Sequence, residues 1–308
     1  MPIIEARSQL AAKEETTEGT AETLAAANAI LAGEIKFDPD VDMEELDLQS
    51  SSLSPFPAVA GGRMARMTFK CEPKGSGTAG TPPEIGLLLR ACGYEETIVG
   101  GSSVTYDPAS SSIPSLTMAK YVDGKRYLMA GARGDFSIEL KAGKPGKINF
   151  DFLGTAVEEA DVALLTGINY QTSRAQSFMN ANFQIDSYAA IVEAISIASG
   201  NSVELRDSAN AAHGYLSAVI SKRLATMGLN PEDVPVATED FWTTWKTGAL
   251  VAFTAQLGAT AGNILTITAP KVQYMKAGLG ERKGHATKEI EAILRRNAGD
   301  DELSLAFT

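Results

Sequence analysis

The chain has 308 residues, 44% hydrophobic and 21% charged, with a formal net charge of −11. That is enough apolar material for one or two cores, which excludes a disordered tail, and the acidic balance argues against a surface that grips phosphate backbones. The two cysteines, Cys71 and Cys92, and two histidines, His213 and His285, form neither a C-x-x-C pair nor a Cys/His cluster, so metal-ligand and nucleophile–base–acid readings have little to stand on.

In chain order, "MPIIEARSQLAAKEE" meets charges at once and carries no apolar h-region, so it does not read as a signal peptide. "GEIKFDPDVDMEELDL" alternates by twos. Glu34, Lys36, Asp38, Asp40, Asp42 and Glu44 fall on one face, and Ile35, Phe37, Val41 and Met43 on the other, which predicts a strand with one wet and one packed side. A solvated sheet face explains that alternation fully. Asp38, Asp40 and Asp42 have the spacing that opens a calcium loop, but Met43 stands where the turn glycine belongs.

A long loop, Gln49 to Gly62, then leads into the alternating strand "GRMARMTFKCE". The following "GSGTAG", Gly75–Gly80, fits the G-x-G-x-x-G pattern of dinucleotide loops. Its preceding strand alternates, though, and only a short Pro-started helix follows, so the glycines read as a flexible connector. Cys71 and Cys92 read as buried thiols, with a disulfide the alternative. "FSIEL" and "INFDF" alternate strictly around the turn "KAGKPGK", which predicts a hairpin.

In the second half, Phe241, Trp242 and Trp245 share a short helix and read as core. The uncharged window Gly248–Ala269 has the length of a membrane span, but its glycines, threonines and Asn263 favour two strands joined at "GATAGN". His213 and His285 sit beside glycines in polar stretches and read as loop residues.

The two halves repeat. "ANAILAGEIKFD" matches "AQSFMNANFQID" in pattern, "GRMARMTFKCE" matches "GYLSAVISKR", and "PPEIGLLLRACG" matches "TEDFWTTWKTG". "ARGDFSIELKAGKPGKINFDFLG" is set against "KGHATKEIEAILRRNAGDDELSLAF" at a nearly constant offset. The expected organisation is an N-terminal segment, 1–26; a first copy, 27–155; a linker, 156–174; and a second copy, 175–308. Each copy is expected to be mainly β, a β-sandwich or barrel with one short helix.

Several segments, taken in order, resemble the major tail tube proteins of tailed bacteriophages, in the longer form with two fused tail-tube domains. They are "NAILAGEIKFDP", "CEPKGSGTAGTPPEIGLLLRACGY", "SSVTYDPASSSIPSLTMAKYVDGKRYLMAGARGDFSIELKAGKPGKINFDFLG" and "SGNSVELRDSANAAHGYLSAVISKR". The resemblance looks loosest over the first 26 residues and at "DPDVDMEELD". It implies a structural virion protein and no enzyme, catalytic residue, metal or cofactor.

Three duplicated chains would close a pseudo-six-fold ring, and rings would stack into a hollow tube that double-stranded DNA traverses without sticking. Tape-measure, tail-terminator and tail-tip proteins are implied as partners, with assembly in the host cytoplasm and no membrane. On this reading Glu34, Asp38, Asp40, Asp42 and Glu44 line the bore. Pro55, Phe56 and Pro57, with Arg206 and Asp207 in the second copy, lie on loops that reach the next ring. Lys141, Lys144 and Lys147 would face Asp300, Asp301 and Glu302 at ring closure. A tube of a contractile or secretion-type particle, or a receptor- or carbohydrate-binding virion protein, is the alternative.

Overall fold

The computed structural model describes residues 3–308, which form strands and two short α-helices. The first half contains β1 (Ser8–Glu14), β2 (Ala29–Ile30), β3 (Gly33–Glu44), β4 (Val59–Cys71), α1 (Gly86–Ala91), β5 (Tyr94–Val99), β6 (Ser103–Pro108), β7 (Leu116–Val122), β8 (Lys125–Lys141) and β9 (Lys147–Asp161). The second half contains β10 (Gln184–Ile185), β11 (Val192–Ala198), β12 (Asn201–Asp207), β13 (Tyr215–Arg223), β14 (Thr226–Pro231), α2 (Phe241–Thr247), β15 (Leu250–Leu257), β16 (Leu265–Arg282), β17 (His285–Leu294) and β18 (Ser304–Phe307). The fold is mainly β, as the alternating patterns imply.

One antiparallel path runs through both halves in the order β3-β4-β9-β8-β11-β14-β17-β16. Two of its strands are bent and serve two sheets each. β8 pairs with β7 up to Ala132, bulges between Ala130 and Arg133, and then pairs with β11 from Ser137 onward. β16 behaves alike: its first part pairs with β15 and β18, and its second part, from Val272 onward and through a bulge between Tyr274 and Lys276, pairs with β17. A bulge adds twist and re-aims a strand, so each bent strand carries its half from the long sheet into an outer layer. The outer layers are β2-β1-β7-β8 and β10-β15-β16-β18-β6-β5.

The core fills the space between layers. Met67, Phe69, Phe136, Ile138, Ile148, Phe150 and Phe152, the inward positions of β4, β8 and β9, are at most 2% exposed. Phe69 stacks on Phe150 and Phe152 with ring centroids 5.5 and 5.9 Å apart. Leu88 and Leu89 of α1 close the first half. In α2, Phe241 is core, whereas Trp242 is 55% exposed, so the three aromatics do not share one buried face as expected. Asp240 caps that helix by accepting the Thr243 N–H at 2.9 Å, and Gly248 ends it in the left-handed conformation (φ 68°). No helix among the described residues is long and apolar enough to cross a membrane. The window Gly248–Ala269 forms the hairpin of β15 and the first part of β16.

Three expectations change here. Residues 8–14 do not stand apart: β1 pairs along its whole length with β7, and Leu10, Ala11 and Ala12 are buried, because their apolar run completes the outer layer. The stretch expected as linker begins inside β9 and continues packed on the first half, where Gln171 bonds the Gly75 carbonyl and the Glu84 N–H. The correspondence between halves also shifts register. "KAGKPGK" turns β8 into β9, but "RRNAGDDE" lies between β17 and β18, and the like-placed turn is Lys283–Gly284 between β16 and β17. The physical reason is the hairpin β5–β6, which follows the helix only in the first half and crosses to pair with β18 of the second.

The "GSGTAG" loop is pressed against "GATAGN" rather than flexible. Gly75 N–H donates to Asn263 Oδ1 at 2.8 Å, and Gly77 N–H to the Gly262 carbonyl at 2.9 Å. A Cβ on Gly75 would sit 2.3 Å from the Gly262 oxygen, so the glycines permit two backbones to touch and leave no cradle for a pyrophosphate. Gly75→Ala is therefore expected to cost about 2 kcal/mol by overpacking, whereas Gly100→Ala, with nothing within 4 Å of its added Cβ, should be close to neutral. Denaturant unfolding of both variants checks this.

Candidate assembly surfaces

The outward face of the eight-strand path carries both signs of charge. Across β3, β4 and β9, Lys36 lies opposite Thr68 and then Asp151, and Asp38 lies opposite Arg66 and then Leu153. Arg66 forms a bidentate pair with Asp151, Lys70 Nζ lies 2.6 Å from Glu34, and Lys276 Nζ lies 2.7 Å from Glu291. The Lys70 hydrogen bond lowers the Glu34 pKa. The acids expected on one strand share their face with Arg66 and Lys70 of β4, and of Glu34, Asp38, Asp40, Asp42 and Glu44 only Glu34 is in an ion pair among the described residues. Glu34 itself sits in a bulge at φ 53°, which interrupts the alternation read from the sequence.

Beyond Pro39 the character of β3 changes. β9 stops pairing with β4 at Met64, so Asp40–Glu44 and Val59–Arg63 run on as a two-stranded arm with no third strand. Val41 and Met43, expected to be packed, are 38% and 55% exposed for that reason. Asp40, Asp42, Glu44, Glu45 and Asp47 are all exposed, as are Pro55, Phe56 and Pro57 in the connecting loop.

The matching arm of the second half, β12–β13, is folded back instead. Arg206 lies 3.6 Å from Glu18, Ser217 donates to Glu18 at 2.6 Å, and Asp207 pairs with Tyr215 inside the hairpin. Its turn touches the base of the first arm, where Arg63 N–H donates to the His213 carbonyl at 3.0 Å. Arg206 is therefore tied to this chain's own N-terminal segment. Burial and the neighbouring Arg63 lower the His213 pKa, so the ring is not the freely solvated one expected; His285 is exposed.

Within one chain the six charges assigned to ring closure lie on separate turns. Lys141 pairs with Glu193 at 3.1 Å, and Lys144 and Lys147 are exposed on the β8–β9 turn. Asp300 and Glu302 are held by Arg223, whose side chain is 13% exposed, and Asp301 accepts the N–H groups of Asn297, Ala298 and Gly299. Asp300 has a lowered pKa, chiefly through its bond from Ser110, and Asp301 through the Ala298 N–H.

Sequence reading missed Arg223, whose only signal is a cation in a strand facing the DDE triplet across the fold. Cys71 and Cys92 are free and buried, and burial pushes the Cys71 thiol up to about 12, out of reach of thiolate chemistry.

Both ends of the long sheet are open. β3 has no partner beyond β4. β16 from Met275 to Arg282 pairs only with β17, leaving Leu279 81% exposed although it points to the core side. The phage tail tube protein family matches residues 5–308 of the chain. No curated protein sequence matches it.

Arg223→Met would remove the cation that holds Asp300 and Glu302, at an expected cost of about 3 kcal/mol at neutral pH. The Asp300 carboxyl is held below its ordinary value, so its pairing stabilises the fold above the unfolded pKa and is lost as pH falls through the folded one. The gap between wild type and R223M should therefore narrow as pH falls below the usual aspartate range of about 4, as read by denaturant unfolding at neutral and at acid pH.

Proposed function

The chain belongs to the phage tail tube protein family, and from that premise we propose that three copies close a ring in which each contributes one third of a continuous barrel wall. The observation that carries this reading is the contrast between two like-placed strands. β8 and β16 are each the first strand of the inner hairpin of their half. β8 is completed by β11, so Ile138 is 0% exposed; β16 past Met275, whose carbonyl accepts the Trp245 Nε1–H of α2 at 3.0 Å, has no strand on that edge, and Leu279 is 81% exposed.

Within one chain the first half already uses its β8 edge to receive the second half. The same pairing repeated between chains joins β16 of one copy to β3 of the next around Gly33–Asp38. Such a contact is heterologous, and it closes when the rotation per chain divides the circle. In support of a duplicated chain, β1–β9 and β10–β18 use the same inner strand order. This reading moves the first unit's start to β1 and its end to Asp161, and reduces the linker to the stretch before β10.

Eight strands per chain give 24 for three copies. At about 4.8 Å per strand and about 40° tilt, the circumference is roughly 150 Å and the backbone diameter roughly 48 Å. Side chains leave a bore near 38 Å, about twice the width of a DNA duplex. The face turned to that bore carries both signs. Arg66, Lys70 and Lys276 are each engaged by a carboxylate, and Lys36, which pairs with none among the described residues, shares its strand face with Asp38 and Asp40, so phosphate meets little net positive charge. DNA passes such a wall without counterion-releasing grip.

End-on electron micrographs of the purified protein should then show hollow rings of three chains with pseudo-six-fold outline. Leu279→Asp should give folded monomers without rings. Compact wild-type particles that neither close nor stack would overturn the reading. Deleting Ser50–Ala58, the loop of the projecting arm, should leave rings but no tubes, and normal tubes from that variant would remove the arm from stacking.

A further inference from the structure

We infer that the apolar patch where α2 meets the bulge of β16, which holds both tryptophans of the chain, is covered within the ring by the strands Asp40–Glu44 and Val59–Arg63 of the neighbouring copy. The inference rests on the ring reading and adds a second lateral contact, apart from the strand ladder.

The patch is continuous. Trp242 and Trp245 meet edge to face with ring centroids 5.2 Å apart, and Trp245 Nε1–H donates to the Met275 carbonyl at 3.0 Å. Leu250 lies opposite Gln273, two residues before Met275. Trp242, Leu250 and Met275 are each about half exposed, although their chain neighbours Phe241, Val251 and Tyr274 are core. An uncovered cluster of large apolar side chains marks a contact surface, and tryptophan is prominent among the residues that carry binding energy there.

The chain shows what covers the like-placed surface of its first half. There the bulge lies between Ala130 and Arg133, and the helix is α1; Ala130, Ala132, Leu88 and Leu89 are fully buried. The β12–β13 hairpin of the second half packs over them. A Cβ on Gly131 would sit 2.8 Å from Ser217 Cα, and the Arg133 guanidinium donates to the Ala218 carbonyl, both on β13. At the end of α1, Asn201 Nδ2 of β12 donates to the Cys92 carbonyl at 2.7 Å, and a Cβ on Gly93 would meet Ile220 Cδ1 of β13 at 3.3 Å.

The second half lacks that cover. β12 and β13 prolong β11 and β14, and β11 is the strand that pairs with β8. In the first half β3 and β4 hold the same place, and their prolongation is Asp40–Glu44 with Val59–Arg63. Val41, Met43 and Val59 on these strands are exposed and unmatched in one chain. β3 stands at the opposite end of the eight-strand path from β16, so the hairpin that covers the β16 bulge comes from another copy. A ladder between β16 and the next copy's β3 delivers it there, as the ladder between β8 and β11 delivers β12–β13 to the first bulge. The partner is therefore the first half of a second copy in the same ring.

The test uses full-length chains. Met275→Cys and Ala60→Cys chains, mixed and treated with a short bis-maleimide, should give a cross-linked dimer that neither gives alone; the native Cys71 and Cys92 are buried. Tryptophan emission of wild-type rings should lie to the blue of that of Leu279→Asp monomers. Trp242→Glu and Val41→Asp change side chains already exposed, so circular dichroism should stay the same while ring yield in electron micrographs falls roughly tenfold or more. Wild-type ring yield from both variants, with no cross-link and no emission shift, would overturn the docking and leave the ring reading standing. Cross-links confined to stacked tubes and absent from single rings would overturn it too, by placing the hairpin between rings. A wild type that forms no rings defeats the ring reading and the docking with it.

Discussion

The pairing of Ser137–Lys141 with Ala194–Ala198 is the join on which the rest of the structure depends. Without it the chain would be two small sheets, each with its own pair of open edges. With it, the backbone ladder runs unbroken from β3 to β16, and the inward side chains of both halves fall into one core. Strand pairing is directional and obeys a fixed spacing, so the join also sets the angle between halves.

The join is braced by contacts that break the symmetry of the halves. The β5–β6 hairpin leaves the first half and adds two strands to the outer sheet of the second through β18. The two glycine loops interlock at backbone distance, and Asn201, at the base of the folded arm, donates to the carbonyls of Cys92 and Gly134 in the first half. Each brace exists once per chain. The two halves are therefore alike in the strand order of the long sheet and unlike in the layers outside it. Edges with no partner are blunted by charge: β9 ends in Glu158, Glu159 and Asp161, with Arg126 and Lys125 paired across to the glutamates.

Much of this was legible in the sequence where period and burial agree. "FSIEL" and "INFDF" gave their strands, faces and turn correctly, because each inward residue meets a neighbour that is itself on a strand. The same rule failed for Val41 and Met43, whose pattern was right but whose neighbouring strand stops at Met64. Alternation reports that a residue is able to pack, and only topology says whether anything is there to pack against. The glycine loop failed in a related way. Its composition permits flexibility or close approach alike, and the choice is made by a second loop 188 residues away. The β5–β6 hairpin after α1 has no counterpart after α2, which a constant offset between the halves could not accommodate. Arg223 could not be found from spacing at all, because its partners are gathered by the fold rather than by the chain.

Around the ring, the contact proposed above is a strand ladder over an apolar edge. Backbone hydrogen bonds and apolar burial are screened little by salt, whereas exposed charge pairs weaken within a Debye length of about 8 Å at physiological ionic strength. Rings closed by such a ladder would therefore persist as ionic strength rises.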